Sequence, residues 1–378
     1  MKMLKSKNFI GLSKWSLDTP CLVVDEETLE RNIQTMQSYL TSLGKQLRPH
    51  AKTHKCSRIA QKQVAAGCRG ICVAKMAEAE ILVEKGLQGV LITSPVVTDQ
   101  KIERLMTCLS RDPELMVVVD NPTNAGMLNE AARKHGLKLS VLVDLDPGMG
   151  RTGVAFQEGL ALGRWIKSLP FLRLRGIQCY AGHVQHIPSF EQRRQASVGW
   201  LNQAAEVFRQ FQKNDLPCEI FTGSGTGTYE IDCQVAELTD LQAGSYTLMD
   251  AEYLNIGSSQ NPLKFETFPP ALTLLTTVIS SNHPDFFTVD AGLKALYHHG
   301  GNPSVLHPDG LQLKYEWWGD EHGRINVSGA LRKFKIGEVL ELVVSHCDPT
   351  VNLFDAFFVT RKGVVVDVWP IDMRGKCQ

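Results

Sequence analysis

The sequence predicts an α/β protein: a TIM-type (β/α)8 barrel followed by a C-terminal, mostly antiparallel β domain. Three observations lead there. From about residue 20, short β-rich runs alternate with longer segments of helical periodicity, the pattern of a parallel sheet wrapped by helices. About eight such units fill roughly 230 residues, close to the ~250 typical of a closed barrel. After about residue 255 the helical runs give way to β-like segments and turns.

CLVVD is read as the first barrel strand, followed by EETLERNIQTMQSYL with apolar residues near helical spacing. QLRPHAKT precedes the helical SRIAQKQVAAG, GICVAK precedes AEAEILVEKG, and GVLITSP precedes TDQKIERLMTCL. ELMVVVD, KLSVLVDLD, LRLRGIQCYAG and CEIFTGSG continue the series as strands five to eight. ALTLLTTVISS, FFTVDAG, GRINVS, VLELVVSH and AFFVTRKGVVVDVWP supply the β domain. The expected domains are residues 20–255 and 256–378, with residues 1–19 joining the second. An open doubly wound sheet is the alternative to the barrel, but the units continue without a topological break.

The bulk numbers narrow the function. The chain has 378 residues, 43% hydrophobic, enough for a substantial core. Lys+Arg and Asp+Glu both number 40, so there is no basic excess for a nucleic acid or an anionic membrane. No stretch approaches the roughly 20 apolar residues of a membrane span. The start, MKMLKSKNFIGLSKW, lacks an apolar signal core and reads as a mature cytoplasmic N-terminus. Ten scattered cysteines with no CxxC pair point to reduced thiols rather than zinc knuckles or a disulfide framework.

In a barrel of this type the active site lies at the C-terminal ends of the strands. Those positions are unusually polar here: Arg48-Pro49-His50-Ala51-Lys52-Thr53-His54-Lys55, then Asp146 to Arg151, Tyr180 to His186, and Thr222 to Thr228. A lysine at a strand end suits a Schiff base, since apolar walls and neighbouring cations lower an amine's pKa. A single lysine is more often a solvated charge; four functional-looking strand ends together favour chemistry. TGSGTG can wrap an anion with backbone N–H groups, although a plain glycine turn explains it equally well. It is neither a Walker loop nor a Rossmann fingerprint. In SHCDPT, His346 and Asp348 fall on one side of an extended segment, a workable pair for a divalent cation or simply a polar turn. His322 in DEHG is a further candidate.

DTPCLVVD, RPHAKTHK, GMGRTGV, YAGHVQH, TGSGTG, LQAGSY, DAGLKA, DEHG and SHCDPTVNLFD occur in this order. Together they resemble the metal-dependent D-threonine aldolase and D-serine dehydratase family, fold-type III pyridoxal phosphate enzymes related in architecture to alanine racemase. The resemblance spans about residues 18 to 375, and RPHAKTHK and SHCDPT are its specific parts. It implies a cofactor-carrying barrel, a β domain that completes the site, a small amino-acid substrate and a homodimer. It makes Lys52 the Schiff-base lysine, and sets Arg151 against the cofactor's phenolic oxygen and Tyr180 beside its ring. It makes His186 the general base. Phosphate contacts fall to Gly225, Thr226, Gly244 and Ser245, and a divalent cation (Mn, Mg, Ca or Zn) to His346 and Asp348.

Within the family, His-x-Asp resembles the aldolases and His-x-Cys the dehydratases, so Asp348 favours aldol cleavage over elimination. Racemisation, a non-catalytic pyridoxal phosphate carrier and a metal-only barrel hydrolase are the remaining alternatives. His183, Ala74 and Ser224 depart from the family pattern around the substrate and cofactor.

Overall fold

The computed structural model describes residues 8–298, 300–309, 311–327 and 333–378. They form two compact units. One comprises the chain up to Ile33, Thr53–Arg58 and Ser245–Arg374; the other comprises Gln34–Lys52, Ile59–Gly244 and Gly375–Gln378. The chain begins its regular structure with strand β1 (Cys21–Asp25) and helix α1 (Glu26–Ser42).

The second unit is the (β/α)8 barrel. Its strands are β2 (Gln46–Leu47), β3 (Cys72–Val73), β4 (Leu91–Ile92), β5 (Met116–Val119), β6 (Leu139–Leu145), β7 (Leu172–Cys179), β8 (Ile220–Gly223) and β9 (Asp240–Leu241). All pair in parallel, in the order β2-β9-β8-β7-β6-β5-β4-β3. A bridge from His50 to Cys72, with Ala51 N–H donating to Cys72 O at 2.8 Å, joins the ends of that order and closes the ring. Cys72, Leu91, Met116, Val118, Leu142 and Ile220 fill the interior. The helices obey their local signals. Pro122–His135 starts behind Asn121, whose side chain accepts the N–H of Thr123 and of Asn124, and stops at Gly136 with φ 65°.

The first unit is built on β10 (Leu272–Ser280), β11 (Phe286–Val289), β12 (Ser304–His307), β13 (Lys314–Trp317), β14 (Gly323–Asn326), β15 (Val339–Val343), β16 (Ala356–Arg361) and β17 (Val364–Pro370). The nine-residue β10 carries β1 along its first half and β11 along its second, on the same edge, with β15 on the other edge. The run β10-β11-β14-β13-β12-β15 therefore returns to β10 as a closed antiparallel barrel.

Two expectations shift. CLVVD is not a barrel strand: β1 pairs antiparallel with β10 and parallel with β16. The barrel's eighth strand is instead Asp240–Leu241, inside TDLQAGSY. The β unit, expected to join residues 1–19 to 256–378, instead runs on to Ile33, takes in Thr53–Arg58 and resumes at Ser245 rather than 256. The physical reason is that β1 is buried over four consecutive residues, as a barrel strand is, so its burial does not reveal a partner some 250 residues away. A two-residue strand such as β9 has no period to detect. No helix among the described residues is long and apolar enough to cross a membrane.

Candidate active site

Parallel strands place all their C-terminal ends at one mouth of the barrel. Lys52 follows β2, Arg151 follows β6, Tyr180 follows β7, Gly225 and Thr226 follow β8, and Gly244 follows β9. The Lys52 amide donates to His50 Nδ1 at 3.4 Å. That assigns the ring proton to Nε2, which faces Thr93 Oγ1 at 3.1 Å, while Thr93 donates its own proton to Val73 O. The buried His50 imidazole thus holds the turn that presents the half-buried Lys52.

The GMGRTG loop is a pinned excursion. Its ends meet through Asp146 N–H to Val154 O (2.9 Å) and Val154 N–H to Asp144 O (3.0 Å). The Asp146 carboxylate takes the amides of Met149 and Gly150. At the tip, the exposed Arg151 lies over the Tyr180 ring, 5.6 Å from its centroid. Beneath it, Asp144 accepts from Thr152 Oγ1 (2.8 Å) and Gln178 Nε2 (2.9 Å), and Gln242 Nε2 donates to Gln178 Oε1 (3.0 Å) and Thr222 Oγ1 (3.1 Å). Sequence reasoning missed this buried polar layer. Its only trace was polar residues at the ends of otherwise apolar strands.

Burial raises the Asp144 carboxyl from 3.8 to about 6; the Gln178 and Thr152 hydrogen bonds oppose the rise, the Asp120 charge adds to it, and Arg151 opposes it. The folded value lies above the unfolded one, so the native state binds the proton more tightly. The stability this gives is complete below 3.8 and is lost as pH rises through about 6. Asp144→Asn should therefore gain stability relative to the parent across that window in urea denaturation. A difference that stays constant with pH would show an ordinary carboxyl.

In TGSGTG, Ser224 sits at φ 71°. A Cβ on Gly223, Gly225 or Gly227 would collide with Cys179 O, Gln185 Oε1 or Gln185 O respectively. Gln185 braces the loop, accepting Gly227 N–H (3.1 Å) and donating to Thr228 Oγ1 (2.9 Å). The fully buried Asp232 takes the hydroxyls of Ser197 (2.6 Å) and Thr228. A loop stripped of side chains and propped from one side fits a phosphate approached through backbone N–H groups. Gly227→Ala should cost about 1–3 kcal/mol, since its obstacle is backbone, and should weaken cofactor affinity. Urea denaturation and a cofactor titration check this; wild-type values in both would refute the cradle. His186 lies just beyond the turn Gly182–Val184, half-buried.

In the β unit, His346 is extended (φ −141°, ψ 125°) and the chain turns helical at Cys347–Val351. His346 and Asp348 are therefore not two positions of one extended segment, as expected. Asp348 sits in the first helical turn, where an acid is favoured by the helix N-terminus. His346 Nδ1 faces Asp250 Oδ2 at 3.1 Å and Glu252 Oε2 at 3.3 Å. Asp250 is fully buried, and its carboxylate also takes Cys347 N–H (2.9 Å) and Tyr253 N–H (3.0 Å).

Asp250, His346 and Cys347 bring ligand-type atoms within 4.8 Å of one another. Asp348, the next residue along, has its carboxylate oxygen 3.6 Å from the Cys347 thiol. Asp250 is engaged by three N–H groups, as an orienting carboxylate is. The Cys347 thiol is pushed well above its usual range by burial, then by the Asp250 and Asp348 charges. A histidine nitrogen beside carboxylates makes up a donor set that fits a divalent ion. Burial pulls the imidazole down, but the Asp250 hydrogen bond and the charges of Asp348, Asp250 and Glu252 outweigh it and raise it from 6.5 to about 9. Asp250 and Glu252 carried no sequence signal. Ser245 is buried at the start of this unit, and His322 is exposed before β14.

Comparisons with known proteins agree with this architecture. The alanine racemase N-terminal domain model matches residues 24–251, and a serine dehydratase domain model matches 271–360. A D-threonine aldolase of Arthrobacter sp is 39% identical over 95% of this chain and 93% of its own. A 3-hydroxy-D-aspartate aldolase of Paracoccus denitrificans (strain Pd 1222) is 36% identical over 97% of this chain and 94% of its own. The crystal structure of a D-threonine aldolase from Filomicrobium marinum superposes with a TM-score of 0.92 at 33% identity, covering 99% of this chain and 100% of that one. The chain belongs to the D-threonine aldolase family of lyases, on the alanine racemase-like fold.

Proposed function

We propose that this protein cleaves D-3-hydroxy amino acids of the D-threonine type to glycine and an aldehyde. The observation that carries the reading is the carboxylate-braced His346 followed by Asp348, in a chain whose barrel presents Lys52 at a strand end. When bound, pyridoxal phosphate supplies an electron sink for charge at the substrate Cα, and a divalent cation supplies positive charge at the β-hydroxyl.

The residues divide the remaining work. Lys52 anchors the cofactor through its amine and yields that position to the substrate's amine. Arg151, stacked on Tyr180, offers a guanidinium to a cofactor oxygen, and Tyr180 packs beside the ring. Gly225, Thr226, Gly244 and Ser245 contribute phosphate contacts. His346 and Asp348 hold the cation, and Asp250 keeps the imidazole in orientation. His186 takes the β-hydroxyl proton, work that suits an imidazole because its unperturbed pKa lies near neutrality. Mn, Mg, Ca and Zn all suit one nitrogen and one carboxylate completed by water. A homodimer in a reducing cytoplasm belongs to the same reading, which the ten free cysteines support.

The rival with a specific basis is elimination to a 2-oxo acid, because residues 271–360 match the serine dehydratase domain. The test is aldehyde release from D-threonine and D-3-hydroxyaspartate with pyridoxal phosphate and manganese. Release that stops on chelation and does not occur with the L isomers supports the proposal. Ammonia without aldehyde would replace it with the dehydratase.

A further inference from the structure

Lys52 stands at a changeover in the chain. It ends a barrel segment, and the residues that follow it, Thr53–Arg58, belong to the β unit. Within that unit they are held by the turn that follows β17. Met373 N–H donates to Lys55 O at 2.9 Å. The half-buried Asp372 accepts the Ser57 N–H through Oδ1 at 2.9 Å and the Ser57 hydroxyl through Oδ2.

Ser57 is the first residue of the helix Ser57–Ala65, whose own first turn carries no acid. The N–H groups at a helix start attract a carboxylate, and the acceptor ordinarily comes from the residue just before the helix. Here it comes from 315 positions further on. Both of its hydrogen bonds are charge-assisted, the strong kind. The turn that supplies it is itself fixed. Ile371 N–H donates to Asp355 O at 2.9 Å, Arg374 Nη1 lies 3.0 Å from Asp355 Oδ1, and Met373 is fully buried.

The held segment needs such support. Lys55 adopts φ 47°, a region that L side chains rarely enter and keep only where their surroundings hold them. The backbone that carries Lys52 is therefore fixed on both sides. His50 takes the Lys52 amide on one side, and Met373 and Asp372 hold Lys55 and Ser57 on the other.

We propose that Asp372 is a positioning residue for the cofactor linkage at Lys52. It acts through Ser57 and the Lys55 turn, not on the cofactor itself. The inference rests on the reading of Lys52 as the cofactor's lysine and deepens it. Pyridoxal phosphate is held in two ways, by contacts to its phosphate and by the bond from its aldehyde carbon to the lysine. None of the residues assigned to the phosphate is bonded to Asp372. Removing that carboxylate should therefore separate the two, slowing the linkage while the phosphate still binds. A general loss of structure would weaken both together.

The test compares the parent with Asp372→Ala, Asp372→Asn and Ser57→Ala, at a temperature where far-ultraviolet circular dichroism shows each folded. Total cofactor bound is measured by equilibrium dialysis. The linkage is followed by the growth of visible absorbance after mixing, and is located by borohydride reduction and peptide mapping. The expected result is full cofactor binding in all four proteins, with the linkage forming about tenfold or more slowly in Asp372→Ala, since a misplacement of roughly 1 Å can cost about 10²-fold. Asp372→Asn and Ser57→Ala should be slowed less, because each keeps an oxygen that accepts the Ser57 N–H. Should Asp372→Ala fail to fold, these two decide. A parent rate in Asp372→Ala, or in both of the others where they must decide, would overturn the positioning role, as would a loss of total binding in step with the linkage. Label on a different lysine of the parent would overturn the Lys52 reading itself, and the role of Asp372 with it.

Discussion

Replacing Lys52 with alanine is expected to abolish the visible absorbance of bound pyridoxal phosphate and to lower turnover by about 10³-fold or more, the scale of losing a covalent catalytic group. The expectation rests on placement. Lys52 ends the segment that closes the barrel ring through the His50–Cys72 bridge, and its amide is held by His50. A lysine fixed at that point can anchor a ligand repeatedly in one orientation, which a solvated lysine on a helix cannot. Borohydride reduction followed by peptide mapping reads the result directly. Label on the Lys52 peptide of the parent, with none in the variant, supports the assignment. Retained absorbance in Lys52→Ala would move the linkage to Lys55, which the backbone carries at φ 47° in the same polar stretch.

The second large effect concerns the cation. Asp348→Ala and His346→Ala should each remove chelator-sensitive activity if, as proposed, they are the two protein donors to the cation. The more discriminating variant is Asp250→Asn, which leaves both donors in place. Its buried carboxylate bonds His346 Nδ1 and two backbone amides, so an amide there misorients the imidazole and removes the charge behind it. Orienting carboxylates of this kind change metal affinity by about 10–100-fold, and calorimetric titration with manganese should show a loss in that range. If Asp348→Ala left manganese affinity unchanged while Cys347→Ala lowered it, the ligand set would be the thiol-containing one.

Much of the fold was legible because alternation is a local property. A run of four or more buried residues followed by an amphipathic helix announces a β/α unit whatever its partners are, and most of the barrel's units were found in this way. What failed was pairing and register. CLVVD looks like a barrel strand by every local measure; its assignment depends on β10 and β16, more than two hundred residues further on. At the site, the motif-bearing strand ends stood out because polar residues cluster where buried strands stop. Asp250, Glu252 and the Asp144–Gln178–Gln242 layer did not, because their roles come from long-range contacts that no spacing encodes. The SHCDPT segment lies between these cases. The residue types pointed to a cation, but the same-side argument assumed extended backbone where Cys347 begins a helix.

The most direct test of the central claim is product identity. The purified protein is incubated with D-threonine, pyridoxal phosphate and manganese, and the products are quantified. Glycine and acetaldehyde in equal amounts, with no 2-oxobutanoate, is the predicted result and establishes cleavage of the Cα–Cβ bond. 2-Oxobutanoate with ammonia would contradict it: the same residues would then be serving elimination, and an aspartate at position 348 would not mark an aldolase.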